Sequence, residues 1–168
     1  MTLTTHMAIA AAVAKPFARA HPILGFCAAI ASHYLSDAIP HWDYRLRAIT
    51  DMEETAKDTW RPDNARAFRR TILGDVRRFA LDGFLGATLV LICIKPVSGG
   101  QWLWVGAAII GSCLPDFGQG LYLAGFSFLK PLQRFHDRMH TKIRLGPYPA
   151  VGIPFQAIIL LLSLYFLV

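Results

Sequence analysis

The stretch His33-Tyr-Leu-Ser-Asp37-Ala-Ile-Pro-His41-Trp-Asp43 ends an apolar segment on a polar face. His33, Asp37 and His41 recur every four residues, a spacing that stacks side chains on one side of a helix. Two imidazoles and a carboxylate beside hydrocarbon are costly to bury unless they pair or share an ion. The stretch therefore predicts a helix that delivers metal ligands at its downstream end. Pro40 qualifies the register: it has no N–H for the Ser36 carbonyl, so it ends or kinks the helix and releases His41 and Asp43 from strict spacing.

The surrounding chain is apolar. Of its 168 residues 54% are hydrophobic, above the ~45–50% usual in soluble globular chains, and the mean hydropathy is +0.40. Several runs approach the ~20 residues that cross a bilayer as a helix. The expected fold is an all-α integral membrane helix bundle, a single domain over 1–168 with four to five membrane helices. Helices are expected at 5–15, from Pro22 to Ile39, at 79–95, from Trp102 to Leu114, and at 151–168. The first is short because Lys15-Pro16 ends it, which suits a half-helix packed inside the bundle. Gly25, Ala28, Ala29, Ala31 and Ser32 permit close packing of the second. Pro115-Asp116 is expected to stop the fourth, while Trp102 and Trp104 suit an interface. No basic n-region precedes the first apolar run, so no cleaved signal peptide is expected.

The net charge is +6 and the isoelectric point about 9.6. In so apolar a chain this reads as a topology signal and an affinity for anionic lipid, with no specific nucleic-acid partner. Residues 44–78 carry nine Lys and Arg, and residues 117–149 are basic again, so both polar segments are expected in the cytoplasm. Within the first, Asp63 or Asn64 could cap a surface helix on which Phe68, Ile72, Val76 and Phe79 share a face. This topology, drawn from lysines and arginines alone, brings His33, Asp37, His41, Asp43, Asp82, Asp116, His136 and His140 to one membrane level, and an inside start adds His6. A multi-pass protein of a bacterial cytoplasmic membrane is the expected setting.

His136-Asp-Arg-Met-His140 is a second pair of ligands on adjacent turns. Each pair taken alone suits a hydrogen-bonded helix surface equally well, and Asp116 alone suits a turn after Pro115. Cys27, Cys93 and Cys113 stand apart from one another, which excludes a thiolate zinc cluster. Mixed His and Asp donors suit a divalent metal, zinc foremost with manganese or iron as alternatives, and the set is large enough for one to three ions. A multi-ion centre suits phosphoester hydrolysis by an activated water, with Asp37 or Asp43 taking the proton and Arg45, Arg138 or Lys142 holding the phosphate. A membrane lipid is the natural substrate at headgroup depth. The alternative is a non-enzymatic metal-binding or metal-transporting membrane protein, whose ligands belong nearer mid-membrane. No Gly-rich phosphate loop, GxSxG elbow or nucleophilic Cys–His motif occurs.

With His6-x-Ala-Ile-Ala, His33-x-x-x-Asp37-x-x-Pro40-His41-x-Asp43, Leu114-Pro115-Asp116 and His136-x-x-x-His140-Thr141, the chain resembles the small membrane-bound metal-dependent hydrolases of bacteria. Those look distantly similar to zinc-dependent phospholipase C and its nuclease relatives, all-helical enzymes with clustered zinc. The resemblance implies His6, His33, Asp37, His41, Asp116, His136 and His140 as metal ligands. Two features depart from it: the family's His-Arg-x-x-Thr-His is here one residue shorter between the histidines, with Thr141 following the second, and the processed N-terminal ligand of the soluble enzymes is not expected here.

Overall fold

The segment with no polar stripe takes the centre of the molecule. In the computed structural model, which describes residues 1–17, 21–44 and 62–168, Leu3–Ala14 form α1, packed by four other helices. Thr5, His6, Ala8, Ala10 and Ala11 are buried around its whole circumference, as befits a helix without a solvent face. A 3-10 turn at Lys15–Phe17 ends it. Around it stand α2 (Pro22–Asp37), α3 (Pro62–Ile94), α4 (Gly99–Leu123) and α6 (Pro149–Leu167), while the short α5 (Lys130–Met139) follows a 3-10 turn beside α2 and α4. Apart from an isolated bridge, the described residues are all-helical.

Two boundaries differ from the sequence expectation. The surface helix expected from Asp63 and the membrane helix expected from Phe79 are one continuous α3. Between them only Gly74 disfavours a helix, by ~1 kcal/mol, too little to break one. α4 starts at a capping box, Ser98 Oγ accepting from the Gln101 N–H and Gln101 Oε1 accepting from the Ser98 N–H. It then runs through Pro115, where a stop is expected. Packing of α4 against α2 and α5 on both sides of the proline holds the helix together.

Close approach sets how the helices cross. A Cβ placed on Gly86 of α3 would lie 2.7 Å from Thr4 Cα of α1, and one on Gly111 of α4 3.1 Å from Ala29 Cβ of α2. After α2 the chain turns and is strapped to the segment beyond α5. The Thr141 N–H donates to the Asp37 carbonyl at 2.8 Å and the Leu145 N–H to the His41 carbonyl at 3.1 Å. His41 and Arg144 form a parallel bridge there, and Trp42 and Leu145 press on Gly152 of α6, whose place would admit no Cβ.

The interior mixes polar side chains with apolar ones, and the exterior carries many large apolar ones. Thr4, Thr5, Ser32, Ser36, Ser112, Gln156 and Ser163 are buried, and Gln156 Nε2 donates to Thr2 Oγ1 and Thr5 Oγ1, tying α6 to α1. Leu81, Phe84, Ile92, Leu103, Ile110, Leu161 and Tyr165 are each more than half exposed. Of the described helices one, α6, is long and apolar enough to cross a membrane, with mean hydropathy 2.1 over its best window and 17% of that window buried. The expected four or five such helices are not found on that measure. α1 has 12 residues and α2 has 16, short of the ~20 a span needs. The apolar end of α3 follows Arg77, Arg78 and Asp82, and α4 carries Gln101, Pro115 and Asp116.

Candidate metal centre

Five pieces of chain deliver side chains to one end of the bundle. His6 comes from the second turn of α1, His33 and Asp37 from the last turns of α2, His41 and Asp43 from the strap, Asp116 from α4, and His136 and His140 from the end of α5. The point of convergence is Asp37, 2% exposed. Its Oδ2 lies 3.1 Å from His33 Nε2 and 3.2 Å from His136 Nε2, and its Oδ1 lies 3.1 Å from His6 Nε2 and 3.9 Å from His41 Nε2. Asp116 Oδ1 adds contacts of 3.4 Å to His33 Nε2 and 3.9 Å to His136 Nε2.

The other ring nitrogens decide what these contacts are. His33 Nδ1 lies 2.6 Å from the Ser112 carbonyl and His41 Nδ1 2.7 Å from the Ile39 carbonyl. A carbonyl only accepts, so both Nδ1 atoms carry protons. Ser36 Oγ gives its proton to the His33 carbonyl and therefore accepts from His6 Nδ1 at 3.0 Å. Wherever these imidazoles are neutral, the Nε2 lone pairs thus point at carboxylate oxygens, and the buried His6 Nε2 and His33 Nε2 make no hydrogen bond of good geometry. Acceptor facing acceptor is repulsive without a cation between them. The His6 and His33 rings also stack at 4.0 Å, which disfavours charging both by protonation.

This is the arrangement in which metal-bound histidines are held, one nitrogen anchored by an outer acceptor and the other free. The spacing fits as well. Bonds of ~2.0–2.1 Å in a tetrahedral zinc site separate neighbouring donors by about 3.3 Å, near the 3.1 to 3.4 Å of the shorter contacts around His33. Two groups could each hold an ion: His33, Asp37, Asp116 and His136, and then Asp37, His41 and His140, the donor atoms in each lying within 4.8 Å of one another. Asp37 belongs to both, one carboxylate shared between them.

Asp43 closes the open side. It is 45% exposed, its Oδ2 2.9 Å from His41 Nε2 and its Oδ1 2.7 Å from the Met1 amino group, which also lies 3.3 Å from Asp37 Oδ1. Desolvation alone would raise the Asp43 carboxyl, but His41 and the Met1 amino group outweigh it and hold it well below the usual carboxylate range. Desolvation lowers the His140 imidazole below its ordinary value.

Other expected site residues are placed elsewhere. Asp82 lies outside both donor groups. Its Oδ2 accepts the Leu3 N–H at 2.7 Å and the Tyr44 hydroxyl at 3.1 Å, and its Oδ1 accepts the Thr4 N–H and hydroxyl. It caps α1 from a neighbouring helix, where Thr2 makes no side-chain cap, and a carboxylate at a helix start is well placed against the dipole. Arg138 is exposed and two positions from the buried His136, on the opposite side of α5. Lys142 is exposed on the strap, and Arg45 lies outside the described residues. Three anchors went unread: Ser36 three residues after His33 on the same face, and the carbonyls of Ser112 and Ile39, which leave no trace in side-chain chemistry. Tyr34 also stands edge-on to both His33 and His136 at 5.7 Å.

Fold and site together define a protein that is helical over its described residues, in which buried His and Asp side chains from several helices could hold a metal ion. Comparison with protein-family models, with curated proteins and with solved structures finds no match.

Proposed function

We propose that the chain is a multi-pass membrane protein and a metal-dependent phosphoester hydrolase at the cytoplasmic face, acting on a phospholipid. The observation that carries the metal reading is the convergence of anchored imidazoles, their Nε2 atoms aimed at Asp37, Asp43 and Asp116. Nitrogen and oxygen donors without thiolates favour zinc, with manganese or iron as alternatives. His33, His136, Asp37 and Asp116 would hold one ion and His41, His140 and Asp37 a second, with His6 directed at the shared carboxylate. Such ions supply acidity to a water and neutralise charge that develops on phosphate oxygens.

The chain's own groups do the rest. Asp37, 2% exposed and ringed by imidazoles, is placed to bridge the two donor groups and is out of reach of solvent. Asp43, ionised and half-exposed, is the carboxylate that can orient a water at the open side and receive its proton. A structural ion site is closed, whereas here Asp43 and, more weakly, Asp116 reach solvent. The membrane setting is supported by the many large apolar side chains on the outer surface, the polar side chains inside, and α6. A surface of that kind is a lipid or protein contact. The basic 117–149 segment supports the cytoplasmic orientation. This reading agrees with the resemblance to membrane-bound metal-dependent hydrolases.

Elemental analysis of the purified full-length protein tests it. A transition metal should co-purify and fall sharply in His33→Ala and His140→Ala. Absence of metal, with both variants unchanged in thermal stability, overturns the reading. Given metal, turnover of a generic phosphodiester or of phospholipid should vanish in Asp43→Asn while metal is retained. Metal flux into vesicles without any turnover would favour transport instead.

A further inference from the structure

α5 carries one face that the metal centre uses and another that it does not. Its inner side presents His136, 3% exposed, to Asp37, and Tyr34 of α2 meets Phe135 edge-on at 4.9 Å. On its outer side Lys130, Arg134 and Arg138 follow one another at four-residue spacing and line a groove with Phe128, Pro131 and Phe135. Spacing of four keeps the three cations on one stripe. Beside that stripe runs an apolar one, Phe128, Leu132 and Phe135, exposed by 74%, 40% and 46%. The helix's single acid, Asp137, stands beside the cationic stripe, three residues on from Arg134, and accepts from Gln133 Nε2 at 2.7 Å. Three cations against one acid, flanking exposed phenylalanines, are an odd surface to leave in water, and they are what a helix lying in the headgroup layer displays.

We infer that the outer face of α5 is a docking surface for anionic phospholipid of the bilayer, with Lys130, Arg134 and Arg138 on the phosphates and Phe128, Leu132 and Phe135 among the upper acyl carbons. This rests on the membrane reading above and adds a partner to it. The charge complementarity selects lipid headgroups that carry net negative charge, and the apolar stripe selects a lipid over a free anion. α5 joins α4 to α6, and its opposite face supplies His136, so a lipid held here sits one helix diameter from the proposed centre. Arg138, expected to hold a phosphate at the metal site, belongs to this second surface.

The test uses the full-length protein in vesicles of phosphatidylcholine with and without phosphatidylglycerol. Phosphatidylglycerol should raise the melting temperature by about 2–4 °C, and the rise should shrink at high salt because exposed charges are screened. The Lys130→Gln/Arg134→Gln/Arg138→Gln variant should keep its metal content and lose the rise. Equal melting in both lipids overturns the inference, as does a rise that the variant retains. A rise that inorganic phosphate reproduces in detergent overturns it in favour of a free-anion site. Should the variant fail to fold, a salt-independent rise in the wild type overturns it just as well. Flotation separates the two claims: a chain that does not float with vesicles overturns the membrane reading and this inference with it, whereas equal flotation without lipid selectivity removes the inference alone.

Discussion

At the residue scale the centre turns on which nitrogen of each imidazole carries its proton. His33, His41 and His6 are each committed at Nδ1, to Ser112, Ile39 and Ser36, which leaves Nε2 as the atom that faces Asp37 and Asp43, an acceptor wherever the ring is neutral. Asp37→Asn probes this directly. The amide can donate an N–H to a facing Nε2, relieving a repulsion worth on the order of 1 kcal/mol. Metal should be lost, yet the variant should melt higher than wild type when both are kept in chelator. A lower melting temperature would mean that the metal-free rings are protonated and paired with the carboxylate, and the lone-pair account would fall. His140 gives a pH test. Desolvation lowers its pKa in the folded chain, so below the ordinary imidazole value of ~6.5 the folded state binds fewer protons than the unfolded one. Stability falls as pH drops through that value and levels off below the lowered one. In chelator, His140→Asn should lose less stability than wild type between neutral and mildly acid pH, and equal losses would contradict the assignment.

At the element scale α1 dictates the packing, and Gly86 is where α3 comes nearest to it. Gly86→Ala puts a Cβ 2.7 Å from Thr4 Cα, main chain that cannot move aside like a flexible side chain. We expect a loss of about 1–3 kcal/mol, read as a drop in melting temperature, with Gly74→Ala as control because nothing stands within 4 Å of that position. A neutral Gly86→Ala would show that the crossing of α1 and α3 is looser than described. Element boundaries were the least legible part of the chain. A proline in an apolar run reads as a stop, yet Pro115 is carried inside α4, because neighbours packed on both sides hold the turns together. The union of two expected helices into α3 was equally hidden, since a polar half and an apolar half differ in surroundings and not in backbone propensity. The centre was more legible. His33 and Asp37 announce it by their spacing, and His136 and His140 by theirs. Asp82 was ambiguous for a physical reason: a carboxylate on an apolar helix is out of place whether it serves an ion or a helix end, and only the position of α1 shows it at a helix end.

At the scale of the whole molecule, the candidate ligands are drawn from α1, α2, α4, α5 and the strap, which makes a bound ion a cross-link among most of the fold. Loading the sites should therefore stabilise the protein globally, by about 4 kcal/mol when free metal stands a thousand-fold above its dissociation constant. Chelation should lower a single melting transition rather than release one segment, and a local change without a shift in the main transition would place the ion outside the bundle. α1 is also fastened at both ends. Asp82 holds the first N–H groups, and at the far end Lys15 Nζ donates to the carbonyls of Phe166 and Leu167 at 3.0 and 2.8 Å. A central rod pinned twice cannot slide along its axis without breaking one set of bonds, so His6 keeps its height relative to Asp37. The strap is joined to its partner segment by two main-chain hydrogen bonds and one bridge. The centre therefore has two walls that are fastened rather than merely packed: α1, pinned at both ends, and the paired segments at 37–44 and 141–145.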